Sequence, residues 1–221
     1  MSVAQRGIWF AQQLAPQSPP YNIGEYLEIH GVINPRLFEI AVRRVVTEAK
    51  VLHVTFVDDS EGPRQILDTP VDWSFPVIDV SAEAEPLAAA EDQMQTDLAQ
   101  PVDLTQGPLF AFALFKAAPD RFFWYHRYHH IIIDGWSRWL IARRVAEVYS
   151  ALATGAAPTS EPFGDFVSAL QEEQAFRSSE QFAADQRYWL GRFADRLEPV
   201  SFVDGSAMPS DCFLRQTTDL S

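Results

Sequence analysis

Tyr128-His129-His130-Ile131-Ile132-Ile133-Asp134-Gly135-Trp136-Ser137 joins two adjacent histidines, three branched apolar residues, an acid and a glycine. Arg121-Phe122-Phe123-Trp124-Tyr125-His126-Arg127 precedes it, an aromatic run that favours a β-strand. After it, Trp136, Leu140, Ile141, Val145, Val148, Tyr149 and Leu152 recur at helical spacing, with Arg138, Arg143, Arg144 and Glu147 mostly off that stripe. The pattern predicts a buried strand over 122–133 that turns through Asp134-Gly135 into a helix ending near Thr154-Gly155. Such a turn on a rigid scaffold is a common place for reactive side chains.

Strand parity puts His126, Tyr128 and His130 on one face and Tyr125, Arg127 and His129 on the other. Adjacent histidines therefore point apart, one toward a cavity and one inward. A histidine near its ordinary pKa accepts a proton from an attacking amine or alcohol within hydrogen-bond reach. Asp134 would either orient that ring or pair with a cation to fix the loop. Gly135 lets a backbone come close, and its N–H suits a developing oxyanion. Three other readings compete: histidines that merely pack, a metal site of His126, His130 and Asp134, and a nucleophile at Ser137. No HExxH pair or cysteine cluster supports the metal, and no nucleophile elbow supports the serine.

The remainder predicts a mixed α/β chain. A helix over 4–14 is followed by the breaker Pro16-Gln17-Ser18-Pro19-Pro20, then a strand around Tyr26–Ile33. Asn34-Pro35 starts a helix with Phe38, Ala41, Val42, Val45 and Ala49 inward. Leu52–Asp58 alternates as a strand, turns at Asp58–Pro63 and returns over 64–67. A helix follows Asp79–Glu83 through Leu87, Ala90, Met94 and Leu98, and 109–115 pairs with 122–133 as long strands. Helices over 163–176 and 179–193 carry core-type residues such as Phe182, Tyr188, Trp189 and Leu190, and a strand is expected at Cys212-Phe213-Leu214.

The 221 residues hold 17 basic and 30 acidic side chains, a formal charge of −13. With no basic stripe, nucleic-acid binding is not expected. A single cysteine, Cys212, rules out an intramolecular disulfide and fits a reducing compartment. With no signal core and no membrane-length apolar run, a cytoplasmic location without membrane association is expected.

The run His129-His130-Ile131-Ile132-Ile133-Asp134-Gly135-Trp136-Ser137 resembles the HHxxxDG signature of condensation domains in nonribosomal peptide synthetases, members of the chloramphenicol-acetyltransferase-like superfamily. Ser2-Val3-Ala4-Gln5-Arg6-Gly7-Ile8-Trp9 resembles their opening SxAQxxLW segment. Pro101-Val102-Asp103-Leu104-Thr105-Gln106-Gly107-Pro108-Leu109 resembles PFDLxxGPL, and Phe163-Gly164-Asp165-Phe166 resembles YxDF. The resemblance implies a largely antiparallel sheet with flanking helices: 1–197 as the N-terminal lobe, half of a two-lobed domain, and 198–221 as the crossover toward a C-terminal lobe.

It also implies amide formation between acyl groups delivered on phosphopantetheine arms by donor and acceptor carrier domains, next to an adenylation domain, with no permanently bound cofactor and no metal. His130 takes the place of the catalytic histidine, as general base or as positioner and stabiliser of the charged intermediate. His129, Asp134, Gly135, Trp136 and Ser137 support it. Related ester-forming or epimerising domains, and a silent carrier-docking module, share the signature. The family's RHExLRTxF segment is eroded here to Glu48-Ala49-Lys50-Val51-Leu52-His53-Val54-Thr55-Phe56. His53 stands where an arginine is usual, and is thus the candidate partner of Asp134. This erosion, with the lead-in Trp124-Tyr125-His126-Arg127-Tyr128, resembles domains that take an aryl or other starter acyl donor, as in siderophore assembly.

Overall fold

The computed structural model describes residues 1–14, 21–60, 62–158 and 163–195. They divide into two compact units, Met1–Ala169 and Leu170–Ser221. That division falls before the 197/198 boundary read from the sequence. The crossover segment and the strand expected at Cys212-Phe213-Leu214 lie outside the described residues, as does the breaker at Pro16–Pro20.

In the first unit, helix α1 (Val3–Leu14) leads to strand β1 (Asn22–His30) and helix α2 (Pro35–Glu48). Asn34 caps α2 as its type predicts, its side chain accepting from Arg36 N and Leu37 N, with Pro35 in the first turn. The chain then makes a short 3₁₀ turn at Lys50–His53 before the hairpin of β2 (Thr55–Asp59) and β3 (Gly62–Ile66). Leu52 therefore belongs to the turn and not to a strand. β4 (Val77–Asp79) and α3 (Pro86–Leu98) precede the long pair β5 (Phe110–Ala118) and β6 (Arg121–His129). Helix α4 (Gly135–Thr154) closes on Gly155, whose φ of 71° is the left-handed C-cap that glycine adopts without strain. Helix α5 (Phe166–Arg177) spans the division between the units.

The main sheet has the order β1-β6-β5-β4, antiparallel except for the β4–β5 pair. β6 is interior and covered on both faces, which is why Phe122–Tyr125 reads as an unbroken aromatic run. On one face Trp124 and Tyr128 join Phe38, Val42, Ile141, Val145 and Val148 of α2 and α4 in the larger core. Phe38 meets Trp124 edge to face, with centroids 5.3 Å apart. On the other face Phe123 and Tyr125 pack with Ala90 and Met94 of α3. A Cβ at Gly24 would come within 2.9 Å of Leu98 Cδ1, so a larger residue there would have to displace the Leu98 side chain at the end of α3.

In the second unit, Ser179 caps helix α6 (Glu180–Arg192) by accepting from Phe182 N at 3.1 Å. The core role expected for this helix is not realised, since none of its side chains is buried. Tyr188, Trp189 and Leu190 are 62 %, 55 % and 68 % exposed. Among the described residues no helix is long and apolar enough to cross a membrane.

Candidate active site

The strand ends four residues earlier than the three isoleucines suggest, at His129 and not at Ile133. The backbone N–H of Ile132 folds back to His129 O at 3.1 Å. Ile131, Ile132 and Ile133 are buried as expected, but in a turn under the sheet's end and not in the ladder. The branched residues serve packing here, and their β-propensity gives way to it.

This turn sends the two histidines in opposite directions. His129 is 2 % exposed; its Nδ1 accepts from Ile131 N at 3.2 Å, so Nε2 carries the proton and faces Gln12 Oε1 at 3.4 Å. Burial, with the charges of His130 and Arg127, lowers its pKa to about 4, so it is a neutral packing group. His130 is exposed. Its backbone N–H donates to Tyr21 O at 2.7 Å, and its Nδ1 lies 2.8 Å from Ile133 O. A carbonyl only accepts, so Nδ1 holds a proton, and in the neutral ring the lone pair lies on Nε2. The turn thus fixes both the tautomer and the direction of the ring.

Asp134 is the N-cap of α4. Its Oδ1 accepts from Ser137 N at 2.8 Å and Ser137 Oγ at 2.7 Å, and these bonds hold its pKa below the usual carboxylate range. The expected partner His53 is elsewhere, with Nε2 2.8 Å from Val46 O. No hydrogen bond or ion pair joins it to Asp134, because its ring is drawn to the carbonyls near the end of α2. Ser137, with its hydroxyl given to Asp134, is a capping residue and not a nucleophile. The His126–His130–Asp134 triple is not assembled, and among the described residues no three such side chains could hold a metal ion.

Gly135 opens α4, where backbone N–H groups lack carbonyl partners and the helix dipole favours negative charge. A Cβ there would meet only Arg138 Nη2, at 4.0 Å. The glycine therefore leaves open space at the start of α4. Trp136, 68 % exposed, leans on Trp139 with centroids 5.3 Å apart.

Two ion pairs brace the turn, and sequence reading found neither. Arg138 Nη1 is 2.6 Å from Glu25 Oε2 on β1. Arg144, 2 % exposed, sends Nε and Nη2 to the Glu48 carboxylate at 2.9 and 3.2 Å, tying α4 to α2. Burial works to raise the Glu48 pKa, but the bonds from Arg144 and Arg44 outweigh it and leave it lowered. Glu48 stands where the family pattern RHExLRTxF begins with an arginine, so nothing local marked it as a partner for a buried cation. His126 lies 3.6 Å from Glu25 Oε1, yet this is not an ion pair. Burial, then the charge of Arg138, lowers the His126 pKa to about 3 and keeps the ring neutral.

In its neutral form the His130 ring, held by Nδ1, offers Nε2 to accept a proton or hydrogen bond from an amine. Gly135, five residues on, begins the helix whose first N–H groups lack carbonyl partners. The Condensation domain family matches residues 1–218. The chain is 50 % identical over 217 residues to the dimodular nonribosomal peptide synthase of Bacillus subtilis (strain 168), covering 98 % of this chain and 9 % of that protein. It is 44 % identical over 218 residues to the isonitrile lipopeptide synthase of Streptomyces coeruleorubidus, covering 98 % of this chain and 15 % of that one.

Among solved structures, a variant of the starter condensation domain of rhizomide synthetase RzmA, in complex with C8-CoA and Leu-SNAC, superposes with a TM-score of 0.89 at 48 % identity. The match covers 94 % of this chain and 48 % of that one. The chain thus spans about half the length of the solved domain, and that domain's fold is the chloramphenicol-acetyltransferase-like one expected from the sequence. With this family match and these relatives, the chain belongs to the condensation domains of nonribosomal peptide synthetases.

Proposed function

We propose that this chain is the N-terminal lobe of a starter-type condensation domain, forming an amide between a carrier-bound acyl donor and a carrier-bound aminoacyl acceptor. The observation that carries the reading is His130, its Nδ1–H donated to Ile133 O and its Nε2 free on the exposed side. The acceptor nitrogen attacks the thioester carbonyl carbon, an N–C bond forms, and the C–S bond breaks to release the donor arm as a thiol. His130 Nε2 takes the proton or hydrogen bond of the attacking amine. The Gly135 N–H at the helix start meets the negative charge that develops on the carbonyl oxygen. A thioester is already activated, so orientation supplies much of the acceleration.

Within this scheme both substrates arrive on phosphopantetheine arms, and the partners are two carrier domains, an adenylation domain and the C-terminal lobe. The donor is a fatty starter acyl group in preference to an aryl or peptidyl one. Supporting this is the 48 % identity to a starter domain whose solved complex holds an eight-carbon acyl-CoA. Donor competition in the intact domain is the test, with octanoyl, aryl and dipeptidyl carriers offered together. Octanoyl product should dominate; a strong preference for the dipeptidyl donor would sink the reading. The 221 residues alone should turn over poorly.

A further inference from the structure

The face of β5 and β6 that α3 covers is not covered fully. Beyond the α3 side chains Gln93 and Met94 lies a groove of about 580 Å³, within the range of small-molecule sites. None of its lining residues belongs to the histidine motif. Its floor is shallow-sided because Ala111 and Ala113 stand where larger residues would fill it. Trp73 and Tyr125 supply aromatic walls.

The polar groups are arranged by depth. Arg127, 8 % exposed, lines the inner part. Its Nε and Nη2 go to Asp97 at 2.7 and 3.3 Å, while its buried Nη1 has no partner among the described residues. Tyr125 Oη also gives its proton to Asp97, at 2.9 Å, so this carboxylate already takes three donors. A buried donor left unmet is costly and is the kind of group that a ligand or water satisfies. At the rim, Asp72 and Asp103 are exposed lining residues, and Arg127 is already neutralised by Asp97. The field across the opening is therefore negative.

We propose that this groove is a second binding site, for a small organic cation. The ligand would have an apolar body, an ammonium toward Asp72 and Asp103, and a neutral carbonyl oxygen toward Arg127 Nη1. Anionic ligands are repelled at the rim.

Titration of the ¹⁵N-labelled chain with 4-(aminomethyl)benzamide tests this, beside 4-methylbenzylamine, which lacks the carbonyl, and 4-carbamoylbenzoate, which lacks the amine. Saturable shifts around Trp73, Tyr125 and Arg127 are expected, strongest for the first probe and absent for the anion. Ala111→Leu, which fills the floor, should abolish them. Should that variant lose its fold, the pair Asp72→Asn and Asp103→Asn decides, with affinity falling about fivefold. No saturable shift, equal binding of the anion, or binding indifferent to these changes would overturn the proposal.

Discussion

At the end of β6, His126 and His129 are 0 % and 2 % exposed and are kept neutral by burial, whereas His130, one residue on, stands in solvent with a free Nε2. The same residue type thus has two fates within a short stretch. What separates them is the turn at Ile131–Ile133, which buries three apolar side chains while rotating the next ring outward. The buried region stabilises the fold through desolvated packing and ion pairs. The exposed region is oriented by hydrogen bonds that cost the fold little to lose. Changes in the two should therefore separate stability from activity.

The largest effect is expected where the turn's supporting helix is tied down. Glu48→Ala leaves the guanidinium of Arg144 buried without its main partner and should cost about 3 kcal/mol in urea unfolding. Glu39→Ala removes a solvent-exposed pair with Arg43 and should cost under about 0.5 kcal/mol. Equal costs would show that the buried pair does not anchor α4.

Acid should act next, through the buried histidines. Their folded pKa values, about 3 and 4, lie below the ordinary 6.5, so the unfolded chain binds protons that the folded chain refuses. Their contribution is complete above pH 6.5 and is lost as pH falls toward the folded values. Well inside that window each histidine costs about 1.4 kcal/mol per pH unit, approaching ~2.7 for both. Replacing His126 by Phe should flatten the slope; an unchanged slope would mean that another group carries it. Asp134→Ala should cost about 1 kcal/mol by removing the cap of α4, read from its midpoint of thermal unfolding. A loss near that of Glu48→Ala would give Asp134 a larger role than capping.

Local signals made much of this legible. Asn34-Pro35 and Thr154-Gly155 marked helix ends because their chemistry acts within a turn, and the aromatic run of β6 announced a strand covered on both sides. The short β4 was missed, since only pairing with the distant β5 makes Val77–Asp79 a strand. Leu52 alternates with its neighbours as a strand would, but over too few residues to exclude the 3₁₀ turn found there. At the site, strand parity anticipated that the adjacent histidines point apart, although the turn after His129, and not the ladder, separates them. The Asp134 partner was not, because a serine three residues on satisfied the carboxylate locally. Glu25–Arg138 and Glu48–Arg144 join distant segments and leave no local pattern.

The most direct measurement compares His130→Ala with His129→Ala, following both unfolding free energy and amide formation in the intact two-lobed domain. His130→Ala should leave stability within about 0.5 kcal/mol of the parent and lower product formation at least ~100-fold. His129→Ala should instead act chiefly through lost stability. Amide formation at the parent rate in a folded His130→Ala domain would contradict the assignment of His130 to the reacting centre.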